Sequence, residues 1–118
     1  MILVDTSVWI DFLRSGNDVL GAHLRAGDVA THPVIVGELR VGNLSKRTQF
    51  LSLLADLPMV GEASHEEVTS FIEMRKVYGR GVGYLDVSLL CASILSGVAL
   101  WTMDKRLDRL AAEFGPSR

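Results

Sequence analysis

Four acidic residues stand where short apolar runs end or helices begin. Asp5 follows Met1-Ile2-Leu3-Val4, Glu38 lies in Pro33-Val34-Ile35-Val36-Gly37-Glu38-Leu39, Asp86 heads the apolar stretch Val87 to Leu95, and Asp104 comes shortly after Val98-Ala99-Leu100-Trp101. Carboxylates gathered in one cleft repel one another, which raises some of their pKa values unless a cation neutralises them. The donors on offer are oxygens, because Cys91 is the single cysteine and His23, His32 and His65 are too far apart in the chain for a local ligand pair. Oxygen donors select a hard ion, Mg²⁺ or Mn²⁺, which activates water and stabilises charge building up on a phosphoryl group. Phosphodiester hydrolysis is the reaction class this chemistry favours. Each acid also has a structural alternative: Asp5 or Asp104 as a helix cap, Asp86 as a complement to a helix dipole, Glu38 as a solvated helix residue.

The elements that must position these acids are legible from apolar spacing. Met1 to Val4 has no polar alternation and reads as a strand buried on both faces, the parallel-sheet type. Thr6 and Ser7 offer N-cap hydroxyls to a helix carrying Val8, Trp9, Phe12 and Leu13. A second helix is expected over 18–26, ended by Gly27, then a short strand over 28–31. Pro33 suits the first turn of a helix whose apolar side is Ile35, Val36, Leu39 and Val41. Residues 46–57 form an amphipathic helix closed by Pro58, with a small strand at Met59-Val60. Ser64-His65-Glu66-Glu67 has the form of a capping box and opens a helix running to about Tyr78. After the Gly79-Arg80-Gly81-Val82-Gly83 loop, Asp86 opens an apolar helix ended by Gly97. Val98 to Trp101 is the next buried strand, and the last helix carries Leu107, Leu110 and Phe114. Strands alternating with helices predict an α/β fold, a three-layer α/β/α sandwich on a mainly parallel central sheet. In such sheets the ligand crevice lies beyond the carboxyl ends of the strands, which is the edge where Asp5 and Asp104 fall.

The 118 residues suffice for one core, and a single domain over 1–118 is expected. No apolar run approaches the ~18 residues of a membrane span, and no basic stretch precedes the first apolar run, so the expectation is a cytoplasmic protein without a membrane partner. A lone cysteine excludes an internal disulfide and fits a reducing compartment. The net charge of −2 excludes nucleic-acid binding by bulk basicity, though not a nuclease whose acids are concentrated in one pocket.

Taken in order, Asp5-Thr6-Ser7-Val8-Trp9-Ile10-Asp11, Val36-Gly37-Glu38-Leu39, Gly83-Tyr84-Leu85-Asp86 and Leu100-Trp101-Thr102-Met103-Asp104 resemble the PIN-domain ribonucleases, and among them the VapC-type toxins of toxin–antitoxin pairs. The resemblance spans essentially the whole chain. It implies that Asp5, Glu38, Asp86 and Asp104 hold Mg²⁺ or Mn²⁺ and the attacking water, and that the hydroxyl of Thr102, in the Thr/Ser-x-Asp position, orients a carboxylate. Ser88 stands where some relatives carry a His. It further implies an RNA substrate, a homodimer and a cognate antitoxin. Trp9 and Phe12 read first as core residues; the alternative is that an apolar helix of that antitoxin lies near Trp9, Phe12 and Leu13 and sends an arginine to the acids. Arg80, Lys105 and Arg106 are candidates for the RNA backbone.

Two other readings compete. A phosphatase of the haloacid dehalogenase type also has an Asp after its first strand, but wants a second Asp two positions on, where this chain has Ser7. A PIN-like binding module without turnover is the rival from another class.

Overall fold

A computed structural model describes residues 1–118. The centre of the fold is β1 (Ile2–Val4), which pairs in parallel with β2 (Val29–Ala30) on one side and β3 (Ala99–Trp101) on the other, in the order β2-β1-β3. The register sets Ile2 and Leu3 beside Val29 and Ala30, and Ile2, Leu3 and Val4 beside Ala99, Leu100 and Trp101. Successive side chains of a strand point to opposite faces, yet all three residues of β1 are buried, so both faces of the sheet are covered. Parallel strands need long crossovers, and six helices supply them, α1 (Thr6–Ser15) and α2 (Asp18–Ala26) between β1 and β2, and α3 (Pro33–Val41), α4 (Arg47–Ala55), α5 (His65–Arg75) and α6 (Tyr84–Ser96) between β2 and β3, while a seventh, α7 (Lys105–Phe114), follows β3. The expected α/β sandwich on a parallel sheet is the observed architecture. The longest helix, α6, has 13 residues, and no helix is long and apolar enough to cross a membrane.

The helix ends follow local chemistry. Ser64 Oγ accepts from the Glu67 amide at 3.1 Å while Glu67 Oε1 accepts from the Ser64 amide at 2.8 Å, completing the expected capping box. Gly97 ends α6 in the left-handed region, at φ 68°, where a side chain is unfavourable. Other boundaries move. The chain reverses at Lys76 (φ 55°), so α5 stops at Arg75 and does not reach Tyr78, and a left-handed Lys46 (φ 50°) starts α4 one residue late. The expected strand at Met59-Val60 shrinks to a single parallel bridge between Thr31 and Met59, flanked by bonds from Thr31 N to Pro58 O and Val60 N to Thr31 O. Pro58 has no amide to extend the ladder.

Two expected placements are corrected. Val41, assigned to the apolar side of α3, is 90% exposed, because it is the last residue of that helix and projects past the core. Trp9, read as core or, with Phe12 and Leu13, as a partner surface, is 0% exposed, so the core reading holds and the docking surface does not include it. Its indole packs edge-on against Phe12 at 6.0 Å and Phe50 at 5.5 Å, so it belongs to the core that joins α1 to α4. Leu13 does reach the surface. α6 is apolar nearly all round because it packs against α5, α7 and β3 together, burying Val87, Leu89, Leu90, Cys91 and Ala92.

Truncation of Trp9 should therefore act on stability. Trp9→Ala is expected to cost about 3–5 kcal/mol in denaturant unfolding, against less than about 1 kcal/mol for Leu13→Ala at the surface. Equal costs for the two would place Trp9 outside the core.

Candidate active site

The carboxyl ends of β1 and β3 meet at Asp5. Its amide continues the ladder by donating to Trp101 O at 2.9 Å, which brings the residue after β1 against the loop after β3. The Asp5 carboxylate is buried, and its Oδ2 accepts from Ser7 Oγ at 2.8 Å and from Thr102 Oγ1 at 2.8 Å. Oδ1 takes no hydrogen bond from the chain. Both hydroxyls are themselves held: the Met103 amide donates to Ser7 Oγ at 3.0 Å and the Asp104 amide to Thr102 Oγ1 at 3.1 Å. Although Asp5 stands at the N-cap position of α1, its side chain caps nothing. A buried carboxylate fixed on one oxygen and open on the other is organised for a ligand, since each satisfied lone pair lowers the cost of desolvating the charge.

Asp86 and Asp104 complete the acidic edge. Asp86 sits in the first turn of α6, which begins at Tyr84 after the Gly83 cap, two residues earlier than expected. Partial burial pushes its carboxyl above the ordinary range against an opposing contribution from the Gly83 backbone, and the charges of Asp5 and Asp104 push it further. Asp104 is exposed and does cap α7, its Oδ1 accepting from the Arg106 amide at 2.9 Å and the Leu107 amide at 3.0 Å. The structural reading of Asp104 is thus fulfilled through one oxygen, leaving the other unbonded. Glu38 is exposed on α3, where its Oε1 accepts from Thr6 Oγ1 at 2.8 Å, tying α3 to the first residue of α1.

Asp5 and Asp104 therefore act electrostatically on Asp86, whereas Glu38 is not among the charges that act on it and is tied to the edge only by its bond from Thr6, the residue after Asp5. No three His, Cys, Asp or Glu side chains lie close enough together to hold an ion between them. That arrangement suits Mg²⁺ or Mn²⁺, which keep several waters and take one or two carboxylates directly, better than an ion that demands an all-protein cage. The open Oδ1 of Asp5 and the crowded negative charge at Asp86 are the features such an ion would satisfy.

Sequence reasoning missed Ser7, read only as a cap hydroxyl. The signal was the pairing of Asp5-x-Ser7 with Thr102-x-Asp104, two short spacings that interlock only when β1 and β3 are neighbours. Arg80, expected near RNA, is committed to an ion pair with Glu113 at 2.8 Å. Arg106 lies over the Gly-rich loop, its Nη1 3.5 Å from Gly81 O. The Cys91 thiol is buried, and burial with the nearby Glu67 charge pushes its pKa up to about 11, so it stays protonated and inert as a nucleophile.

The raised Asp86 pKa has a definite sign in stability. Above the ordinary value of 3.8 the folded chain holds the Asp86 proton more tightly than the unfolded chain does, so stability falls as pH rises through that window, and the cost persists at neutral pH. Asp86→Asn is expected to raise the Tm of the chelator-treated protein at pH 7, with the gain vanishing below pH 3.8, where both states are protonated. A lower Tm at pH 7 would assign Asp86 to holding the fold.

Comparison with known proteins agrees with this geometry. The PIN domain family matches residues 2–113. Ribonuclease VapC32 of Mycobacterium tuberculosis, in strains CDC 1551 / Oshkosh and ATCC 25618 / H37Rv alike, is 40% identical over 116 residues, covering 98% of this chain and 94% of the relative. The crystal structure of PAE2754 from Pyrobaculum aerophilum shares the fold, with a TM-score of 0.61 at 17% identity over 96% of this chain and 88% of that one. With the family match running through every strand and acid described above, the chain belongs to the PIN-domain family and, within it, to the VapC-type proteins.

Proposed function

We propose that this chain is an endoribonuclease toxin that hydrolyses RNA phosphodiester bonds with Mg²⁺ or Mn²⁺ and is held in check by a cognate antitoxin in the cytoplasm. The observation that carries the reading is the buried Asp5 carboxylate, clamped on Oδ2 by Ser7 and Thr102 and open on Oδ1, at the edge it shares with Asp86 and Asp104. The 40% identity to Ribonuclease VapC32 supports it.

Asp5, Asp86, Asp104 and Glu38 are the proposed metal and water holders. When bound, the ion supplies Lewis-acid activation of water and neutralises charge developing on the phosphoryl group. The chain's own part is positional. Ser7 and Thr102 keep Asp5 from turning, and the two amides that they accept keep the β1 and β3 loops in register. One of these carboxylates would also take the proton released by the attacking water. Arg106, with no acidic partner, is the cation proposed to meet the RNA backbone beside Asp104, whereas Arg80 is occupied by Glu113.

The partner surfaces are also proposals. A groove of about 370 Å³ between α1 and α3 is lined by Ile10, Leu13, Leu39 and Leu44, with Arg14 and Glu38 at its polar edge. It replaces the Trp9 surface as the seat for an apolar antitoxin helix, because it is open and leads to Glu38, where an antitoxin arginine can form charge-assisted bonds. A second groove, about 470 Å³ between α5 and α6, exposes Met74 and Leu95 beside Phe71 and Ile94 and is the face proposed to be covered in a homodimer.

Purified protein should cleave RNA in Mn²⁺ or Mg²⁺ and stop in EDTA. Asp5→Asn should abolish cleavage, and Thr102→Val should reduce it about 10–100-fold while leaving the fold intact by circular dichroism. Cleavage that survives thorough chelation overturns the metal mechanism, and a folded wild type that binds RNA without cutting it leaves a binding module. Light scattering should give twice the chain mass for the free protein. Leu13→Asp should weaken capture of the antitoxin without changing cleavage by the free enzyme; undiminished capture would place the antitoxin elsewhere.

A further inference from the structure

Tyr84 is the first residue of α6, two positions before Asp86, and the residue is 43% exposed. It is also held in place. Its hydroxyl is hydrogen-bonded to His65 Nδ1 at 2.8 Å, and the two rings sit 5.5 Å apart at 49°. His65 opens α5, so the pair bridges the N-terminal ends of two packed helices at the edge that carries Asp86. Neither ring contributes to the core, and the capping of α5 is complete without His65, through Ser64 and Glu67. An exposed aromatic ring fixed by a side-chain bond loses little rotamer freedom when something lies on its face.

We propose that Tyr84, steadied by His65, is a stacking shelf for one unpaired base of the RNA strand, on a nucleotide flanking the scissile phosphate. The inference rests on the ribonuclease reading above. Two residues along a helix turn through roughly 200°, so Tyr84 and Asp86 diverge around the first turn of α6. The ring is thereby directed away from Asp86, toward α5, while its backbone stays within about one nucleotide's length of Asp86. That separation suits a base next to the reaction centre and excludes a catalytic part for the ring. Bases of single-stranded RNA can be splayed out to present a π face to an aromatic side chain, whereas those of a duplex are held in the stack. Arg106 over Gly81 lies in the same loop region and is placed for a phosphate of the same strand. Base and backbone would then be held by groups of different physical character, and that difference is measurable.

The test is fluorescence anisotropy with a 12-nucleotide mixed-sequence single-stranded RNA in Ca²⁺, at several salt concentrations, with the RNA recovered intact. Tyr84→Ala should weaken binding about tenfold with the salt slope unchanged, because stacking releases no counterions. Tyr84→Phe, which keeps the face and loses the His65 bond, should stay within about threefold of wild type. Arg106→Ala should instead flatten the salt slope by about 0.7. Tyr84→Leu preserves apolar bulk, so it tests the aromatic face should the alanine variant unfold, and it should bind as weakly as Tyr84→Ala. An abasic site moved along the RNA should cost wild type affinity at one position and cost Tyr84→Leu nothing there. Wild-type affinity in Tyr84→Leu, or an abasic penalty that persists in it, overturns the shelf while leaving the ribonuclease reading standing. A wild type that neither binds nor cleaves RNA overturns both.

Discussion

The site depends on satisfying one carboxylate in a place where water cannot reach most of it. Asp5 is buried at the point where β1 ends, and a carboxylate without hydrogen-bond partners there would cost several kcal/mol. Two hydroxyls, from Ser7 and Thr102, prevent this by donating to the same oxygen. Because each hydroxyl also accepts an amide from the turn after β3, satisfying Asp5 and closing that turn are one network. The β1–β3 pairing is what lets those two short segments meet, and the bond from the Asp5 amide to Trp101 O extends that pairing up to the carboxylate itself.

Around this point the fold spends stability on negative charge. Asp86 is pushed toward protonation by its burial and by Asp5 and Asp104, while Asp104 recovers part of its cost by capping α7. Helices α1, α6 and α7 all begin at this edge, and their N-terminal amides partly offset the crowded acids. The arrangement is tolerable because the core beneath it is large for the chain: β1 is covered on both faces, and Trp9, Phe50, Leu54 and Leu90 fill the layers beside it.

Much of the architecture was legible because its signals are local. The unbroken run Ile2-Leu3-Val4, the Ser64-to-Glu67 capping box and the glycines after α2 and α6 each follow from backbone chemistry within a few residues. Where boundaries slipped, at Lys46, Lys76 and Met59, the cause was a left-handed residue without glycine or a ladder cut short by Pro58, which apolar spacing does not register.

The sequence by itself determined which groups could do chemistry: oxygen donors and no thiol or histidine pair, with Asp5, Asp86 and Asp104 at the ends of apolar segments. Glu38 was a fourth candidate from the residues alone, and the resemblance to the PIN-domain proteins added an expected role for the Thr102 hydroxyl. Only the tertiary structure decided how they are joined. That the Thr102 hydroxyl donates to the carboxylate of Asp5 and not to that of its neighbour Asp104, that Ser7 is part of the same network, and that Trp9 lies in the core all depend on contacts between segments up to 97 residues apart. Periodicity reports which face of an element is apolar; it carries no information about which other element covers that face, because burial and hydrogen bonding across the sheet exist only once β1 lies between β2 and β3.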